Sequence, residues 1–408
     1  MSRPRPRTRP AARGSRASGP LAALGAVLLL ALPLTTCGDD ERTGRRGAAS
    51  AEPASASASS PPAPRTPPSC AQQTLDRLDL PSRVGQLLMV GVAAADPVAG
   101  AGQLSGVPVG GVFLRGRSSA GAAAVGAAVA QVQAASALPL EVAVDQEGGW
   151  VQTLTGPGFD TVPRALAQGA LPAGTLRVEV TSWAGQLRAA GITMDLGPVA
   201  DTVPPGTGKE NPPIGASDRQ YGGDPARVAA AVGTVVRALQ DAGVAATAKH
   251  FPGLGRVPVN TDTDVGATDP ETSPTDPFLQ PFAAAVDAGA AAVMVSSATY
   301  PRLDPGRLAV FSPAVLGLLR DQLRFDGIVV TDDLGEAVAL SGLPVGQRAV
   351  DAVAAGVDVV LTVRTADAAP MSEALVGRAT ADPAFAARVG GSALRVLALK
   401  ERFGLLTC

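Results

Sequence analysis

The chain has 408 residues, with 34 Lys and Arg against 36 Asp and Glu, a formal net charge of −2, three cysteines and a single histidine. One histidine excludes a zinc site built on two or three imidazoles and, with so few cysteines, a Cys/His structural zinc module; a Ser-His-Asp triad survives only with His250 as its base. Near-zero charge without a basic cluster in the folded part speaks against nucleic acid as a partner, and the length allows one large domain or two small ones with a sizeable core.

From the N-terminus, six arginines (Arg3, Arg5, Arg7, Arg9, Arg13 and Arg16) precede an apolar run from Leu21 to Leu32, followed by Leu34-Thr35-Thr36-Cys37. A basic stretch and about a dozen apolar residues form a secretory signal, too short for a permanent membrane span. The terminal cysteine makes residues 1–36 resemble a bacterial lipoprotein signal, with Cys37 as the lipidated first residue of the mature chain. Thr36 departs from the usual Gly, Ala or Ser, and an ordinary signal with an incidental cysteine is the alternative. Removing residues 1–36 takes away six positive charges and no negative ones, so the net charge moves from −2 to −8. The expected location is outside the cell, lipid-anchored to the outer face of the cytoplasmic membrane, with the anchor as the only membrane contact.

Arg42–Ser69 is almost entirely Ala, Ser, Pro, Thr, Gly and Arg. Such a composition buries too little apolar surface to offset chain entropy, so residues 37–69 read as a tether. The folded domain is expected over 70–408, beginning at Cys70. Cys70 and Cys408 stand at its two ends, and outside the cytoplasm such a pair oxidises. In a closed barrel the first and last elements are neighbours, so a Cys70–Cys408 disulfide is expected.

Short apolar runs then alternate with longer segments of helical period, the pattern of βαβ units and a parallel sheet. The expected strands are Gly85–Val92, Gly110–Arg115, Leu140–Asp145, Thr193–Leu196, Ala245–Lys249, Ala291–Val295, Ile328–Asp332 and Val357–Leu361. Expected helices include Ala120–Ala135, Thr175–Ala190, Asp224–Ala242, Phe278–Ala288, Ser312–Gln322 and Gly346–Ala355, with Ala381–Phe403 closing the chain. Eight parallel strands fit a single-domain α/β fold of the (β/α)8 TIM-barrel type. A doubly wound open sheet is the alternative, but no Gly-x-Gly-x-x-Gly follows the first strand.

Polar residues gather where these strands end. Leu140–Val144 runs into Asp145-Gln146-Glu147-Gly148-Gly149-Trp150, Ala245–Ala248 into Lys249-His250-Phe251-Pro252-Gly253, and Val329-Val330 into Thr331-Asp332-Asp333. Barrel enzymes build their sites at the C-terminal strand ends, so these groups are placed to meet over one pocket.

These stretches, with Val84–Val92, Gly191–Val199, Asn211–Gly222, Ala248–Gly255, Val293–Pro301, Phe325–Leu334 and the tail Ser392–Leu406, resemble the family 3 glycoside hydrolases, specifically the single-barrel β-N-acetylglucosaminidase branch. The resemblance covers essentially all of Cys70–Cys408 in the family order. It implies a retaining hydrolase of terminal β-linked N-acetylglucosamine with Asp332 as the carboxylate nucleophile. Adjacent side chains on a strand face opposite sides, so only one of Asp332 and Asp333 can face the pocket. Asp145, Arg219, Lys249 and His250 match positions that hold sugar hydroxyls, and Met294 of the sixth-strand motif joins them as a substrate contact. For Arg219 and Lys249 the alternative is a buried ion pair with Asp145 or Glu147. No metal or organic cofactor is implied, the partner is a carbohydrate, possible natural sources include peptidoglycan fragments, and a monomer is expected.

Three positions depart from that pattern. The family's loop after the Lys-His strand carries Asp-Ser-His, with the histidine as acid/base; the equivalent residues here are Asn260-Thr261-Asp262. The arginine usual after the Gly-Gly pair is Trp150, a stacking face for a pyranose or else a core tryptophan, and the usual histidine of the sixth-strand motif is Ser297. An aspartic acid of ordinary pKa, about 3.9, is protonated roughly once per thousand molecules at pH 7. Asp262 can therefore act as the acid/base only if burial or a neighbouring carboxylate raises its pKa. A donor elsewhere, Glu147 or Asp264, a sugar-binding barrel without turnover, and a hydrolase for another β-glycoside are the other readings.

Overall fold

The computed structural model describes residues 68–408. The expected signal segment, Cys37 and all but the last two residues of the expected tether lie outside the described residues. Within them the eight barrel strands are β1 (Leu88–Ala93), β2 (Gly111–Arg115), β3 (Glu141–Val144), β4 (Met194–Asp195), β5 (Ala245–Phe251), β6 (Ala292–Val295), β7 (Ile328–Thr331) and β8 (Val360–Thr362). All neighbours pair in parallel, in the order β8-β1-β2-β3-β4-β5-β6-β7. A further parallel bridge, Val330 to Val359, joins β7 to the residues entering β8 and closes the barrel. The fold is thus the expected (β/α)8 barrel.

Alternation along the strands sorts side chains into two cores. Met89, Phe113, Ala143, Met194, Ala292, Met294, Ile328, Val330 and Leu361 fill the barrel interior. Val90, Val112, Val142, Val144, Val293, Val295 and Val329 face outward into the larger core beneath the helices. Those helices begin on local signals: Asp224 accepts from Arg227 N at the start of Pro225–Asp241, and Asp382 caps Pro383–Arg402 through Ala384 N and Phe385 N.

Boundaries differ from expectation where such caps intervene. Gly85 and Gln86, expected in the first strand, belong to the helix Leu80–Gln86, which Asp79 caps and Pro81 initiates. The expected closing helix Ala381–Phe403 is the single helix Pro383–Arg402, because Asp382 and Pro383 end the preceding helix Ala368–Ala381. Ser312–Gln322 divides into a short α-helix, Pro313–Gly317, and a wider π turn, Leu318–Gln322.

The first helix of the described residues and the C-terminus meet beneath the barrel. Cys70 and Cys408 form the expected disulfide, with Cα atoms 5.6 Å apart. Beside it, the Glu401 carboxylate accepts from Cys70 N and Ala71 N, so the last helix caps the first. Lys400, fully buried, donates to Gln86 Oε1 at 2.7 Å and closes the floor below the interior core.

Candidate active site

At the C-terminal end of the barrel is a cavity of about 450 Å³. Phe113, Leu196, Met294 and Leu361 form its apolar floor, and Asp145, Arg219, Lys249, His250, Asp262 and Asp332 bring polar and ionisable groups to its walls. The strands deliver these groups from well-separated stretches of chain, as the barrel topology requires.

One wall is a network of four charges. Lys249 Nζ lies 2.6 Å from both Asp145 Oδ1 and Glu147 Oε1. Arg219 donates from Nε and Nη2 to the two Glu147 oxygens at 2.8 and 2.7 Å, and from Nη1 to Pro213 O. Burial opposes charge on Glu147, but the Arg219 and Lys249 cations overcome it and hold the carboxyl well below the usual range. Glu147 is therefore an ionised brace and no proton donor at neutral pH. Burial likewise disfavours the Lys249 ammonium, yet Asp145 and Glu147 raise its pKa above the ordinary value. Pairing does not remove Lys249 from the cavity, since an ammonium has three donors and the two carboxylates take two of them.

His250 is buried, with Nδ1 2.7 Å from Asp201 Oδ2. Asp201 is wholly buried, and its Oδ1 also accepts from His250 N and Leu254 N. With Nδ1 committed to the carboxylate, Nε2 is the nitrogen left for the cavity.

Asp332 follows β7, and its backbone N–H is bonded to Val295 O of β6 at 3.0 Å. Asp333 has a different task. Its carboxylate accepts from Gly335 N, Glu336 N and Val363 N, which knits the turn after β7 to the end of β8. Burial pushes the Asp333 carboxyl up despite these donors.

Asp262 comes from the loop after β5. Asn260 shapes that loop, its Oδ1 accepting from Asp262 N at 3.0 Å and its carbonyl from Asp264 N at 2.9 Å. The tip is latched to the turn after β7 by Val338 N to Asp262 O and Ala339 N to Thr261 O, at 3.3 and 3.2 Å. Asp262 is open to solvent at the cavity mouth, but surrounding protein and the Asp332 carboxylate push its pKa up to about 6, against the pull of His250 and Arg219. Asp264 does not line the cavity; its carboxylate accepts from Thr263 Oγ1.

Trp150 is also absent from the cavity wall. It sits at the tip of the hairpin formed by Gln146–Gly148 and Val151–Gln152, 61% exposed, with the Arg164 guanidinium 5.9 Å from its ring. Gly148 and Gly149, at φ of 100° and 60°, permit that turn, and a Cβ on Gly148 would lie 2.2 Å from Pro163 O. The alternative of a core tryptophan does not hold, and the indole expected to stack on a sugar stands exposed beside the cavity rather than in its lining. Ser297 is buried, and among the described residues its Oγ has no hydrogen-bond partner. Asp201 and Asp195 are the functional candidates that strand-end reading missed. Asp201 follows β4 in Pro198-Val199-Ala200-Asp201, the same kind of signal that exposed Asp145 and Asp332. Among the described residues no group of His, Cys, Asp and Glu is arranged to hold a metal ion.

The model of the glycosyl hydrolase family 3 N-terminal domain matches residues 79–399. A β-hexosaminidase from Xanthomonas campestris pv. campestris (strain B100) is 35% identical over 318 residues, 76% of this chain and 93% of that protein. Among solved structures, β-N-acetylhexosaminidase from Beutenbergia cavernae DSM 12333 shares 46% identity with a TM-score of 0.77, over 79% of this chain and 99% of that one. A family 3 β-N-acetylglucosaminidase from Paenibacillus sp. str. FPU-7 shares 34% identity with a TM-score of 0.71, over 81% of this chain and 64% of that one. The matched span contains all eight strands and every charged residue of the cavity wall, and the chain belongs to glycosyl hydrolase family 3 as a glycosidase.

Proposed function

We propose that this glycosidase removes a terminal β-linked N-acetylglucosamine with retention of configuration, using Asp332 as nucleophile and Asp262 as acid/base. The observation that carries the reading is the convergence of Asp262 and Asp332, from the loops after β5 and β7, on one cavity that is also lined by Asp145, Lys249 and His250, partners for sugar hydroxyls. Names borne by the similar proteins support the substrate class.

In the first step an Asp332 oxygen attacks the anomeric carbon as the bond to the leaving oxygen breaks, and Asp262 gives that oxygen its proton. A glycosyl ester on Asp332 and an ionised Asp262 result. In the second step Asp262 takes a proton from water, the water oxygen attacks the anomeric carbon, and the ester bond breaks to restore both carboxyls. Asp145 and the free Nε2 of His250 accept from sugar hydroxyls while Lys249 donates to them. The competing donors are disfavoured by their surroundings, since Glu147 is braced as an anion and Asp264 stands off the cavity. A 5-fluoro β-N-acetylglucosaminyl fluoride tests the nucleophile: a mass-labelled peptide carrying Asp332 is expected. Full turnover with no label there, or a label on another carboxylate, removes the assignment.

We propose further that the protein is exported and held to the outer face of the membrane by lipid on Cys37, acting on wall-derived saccharides. The Cys70–Cys408 bond supports an oxidising compartment. Substituting Cys37 by Ala should release the protein from the membrane fraction into the medium, and unchanged membrane retention would count against the anchor.

A further inference from the structure

Behind the cavity wall lies a carboxyl to which the reaction as described gives no role. Asp195 ends β4, in register with Val144 of β3 and Ala246 of β5. Its neighbours Met194 and Leu196 point into the barrel interior, so alternation turns Asp195 outward, away from the sugar cavity. It is 6% exposed and accepts one hydrogen bond, from Gln146 N to Oδ1 at 3.1 Å. Among the described residues no Lys or Arg lies within ion-pair distance of it, although both neighbouring carboxylates, Asp145 and Glu147, have such partners.

Charge counting then becomes decisive. Asp145 and Glu147 balance Lys249 and Arg219, and the network is neutral. An ionised Asp195 would add an uncompensated anion next to it, at a buried position where solvent screens the charge poorly. The groups facing it are Asp145 and Glu147 from β3 and its hairpin, Lys249 from β5, and the phenol of Tyr221 ahead of the helix Pro225–Asp241. The helices packed over it contribute Trp183, Leu187, Val235 and Leu239.

We propose that Asp195 is a positioning residue that carries a proton while sugar is bound, which leaves the third donor of Lys249 directed into the cavity. Loss of that proton draws the ammonium back toward Asp195 and weakens sugar binding. Burial, which outweighs the Gln146 N–H and Lys249 and is reinforced by repulsion from Asp145 and Glu147, agrees in direction and pushes the carboxyl up to about 7. The inference rests on the sugar-binding role of the Asp145–Lys249 wall but not on turnover.

The test is calorimetric titration of the folded domain with N-acetylglucosamine between pH 5 and 9, repeated with Asp195→Asn, which keeps an acceptor for Gln146 N. For the parent, Kd should be about tenfold weaker at pH 8 than at pH 6 if the ionised form does not bind. The variant should bind with nearly constant Kd. An infrared carboxylic-acid band that disappears near pH 7 in the parent and is missing from Asp195→Asn reports the proton directly, without relying on the variant's affinity. A parent Kd that does not change with pH, or an equal decline in Asp195→Asn, overturns the proposal and leaves Asp332 and Asp262 untouched. Failure of the fluoride trap, in contrast, overturns the hydrolytic reading and leaves this pH dependence standing.

Discussion

Asp262 and Glu147 are both carboxyls beside the same cavity, and their surroundings give them opposite chemistry. Two cations fix Glu147 as an anion, whereas Asp262 faces another carboxylate and is pushed up to about 6. At that value about one molecule in ten carries the proton at pH 7, a gain of roughly a hundredfold over an ordinary aspartic acid. The sign of the pH dependence follows. Acid catalysis requires protonated Asp262, so kcat/KM should decline as pH rises through about 6. Asp262→Asn should lose that limb and reduce kcat/KM by about 10²–10⁴ for substrates with poor leaving groups, with a smaller loss for activated aryl glycosides. A pH–rate profile that matches the parent's would exclude Asp262 as the donor.

At the scale of elements, the loop carrying Asp262 is secured at both ends. Its tip is latched to the turn after β7, which also carries the nucleophile strand onward. Its base is held by Arg256, which donates to Asp269 Oδ2, Thr272 Oγ1 and Asp276 Oδ2 and lies 4.1 Å from the centroid of the Phe278 ring. A guanidinium suits this task because its fixed fork can bind several acceptors at once. Arg256→Met should loosen the segment 257–268, making it the first site of limited proteolysis. Misplacement of Asp262 should lower kcat/KM on the order of tenfold to a hundredfold. Unchanged proteolysis and kinetics would show that the tip latch alone suffices.

The whole molecule separates its reacting end from its fastening end. Cys70–Cys408, the Glu401 cap and Lys400 lie beneath the barrel, across the interior core from the cavity. A loop of this length gives a chain-entropy stabilisation of roughly 5–6 kcal/mol as an upper figure. The Cys70→Ala/Cys408→Ala variant should therefore unfold at distinctly lower denaturant concentration while retaining the parent's kcat/KM at 25 °C. Loss of activity in the folded variant would mean that the two ends are coupled.

Strand order and number were legible because a parallel barrel repeats a local pattern: short apolar runs, helical period, polar residues at strand ends. Asp145, Lys249, His250 and Asp332 could be read for the same reason, each standing in the polar stretch that follows an apolar run. The helix Leu80–Gln86 was harder, because its Asp79 cap and Pro81 compete with the apolar run that follows. Which carboxyl brings a proton and which brings a charge was decided only by the tertiary structure. Arg219 meets Glu147 across 72 positions of sequence and Lys249 meets Asp145 across 104, so the ion pairs that the sequence offered as an alternative could be assigned to partners only in the folded barrel. Closure of the barrel sets those distances, and through them the burial and neighbouring charge that make Glu147 a brace and raise Asp262.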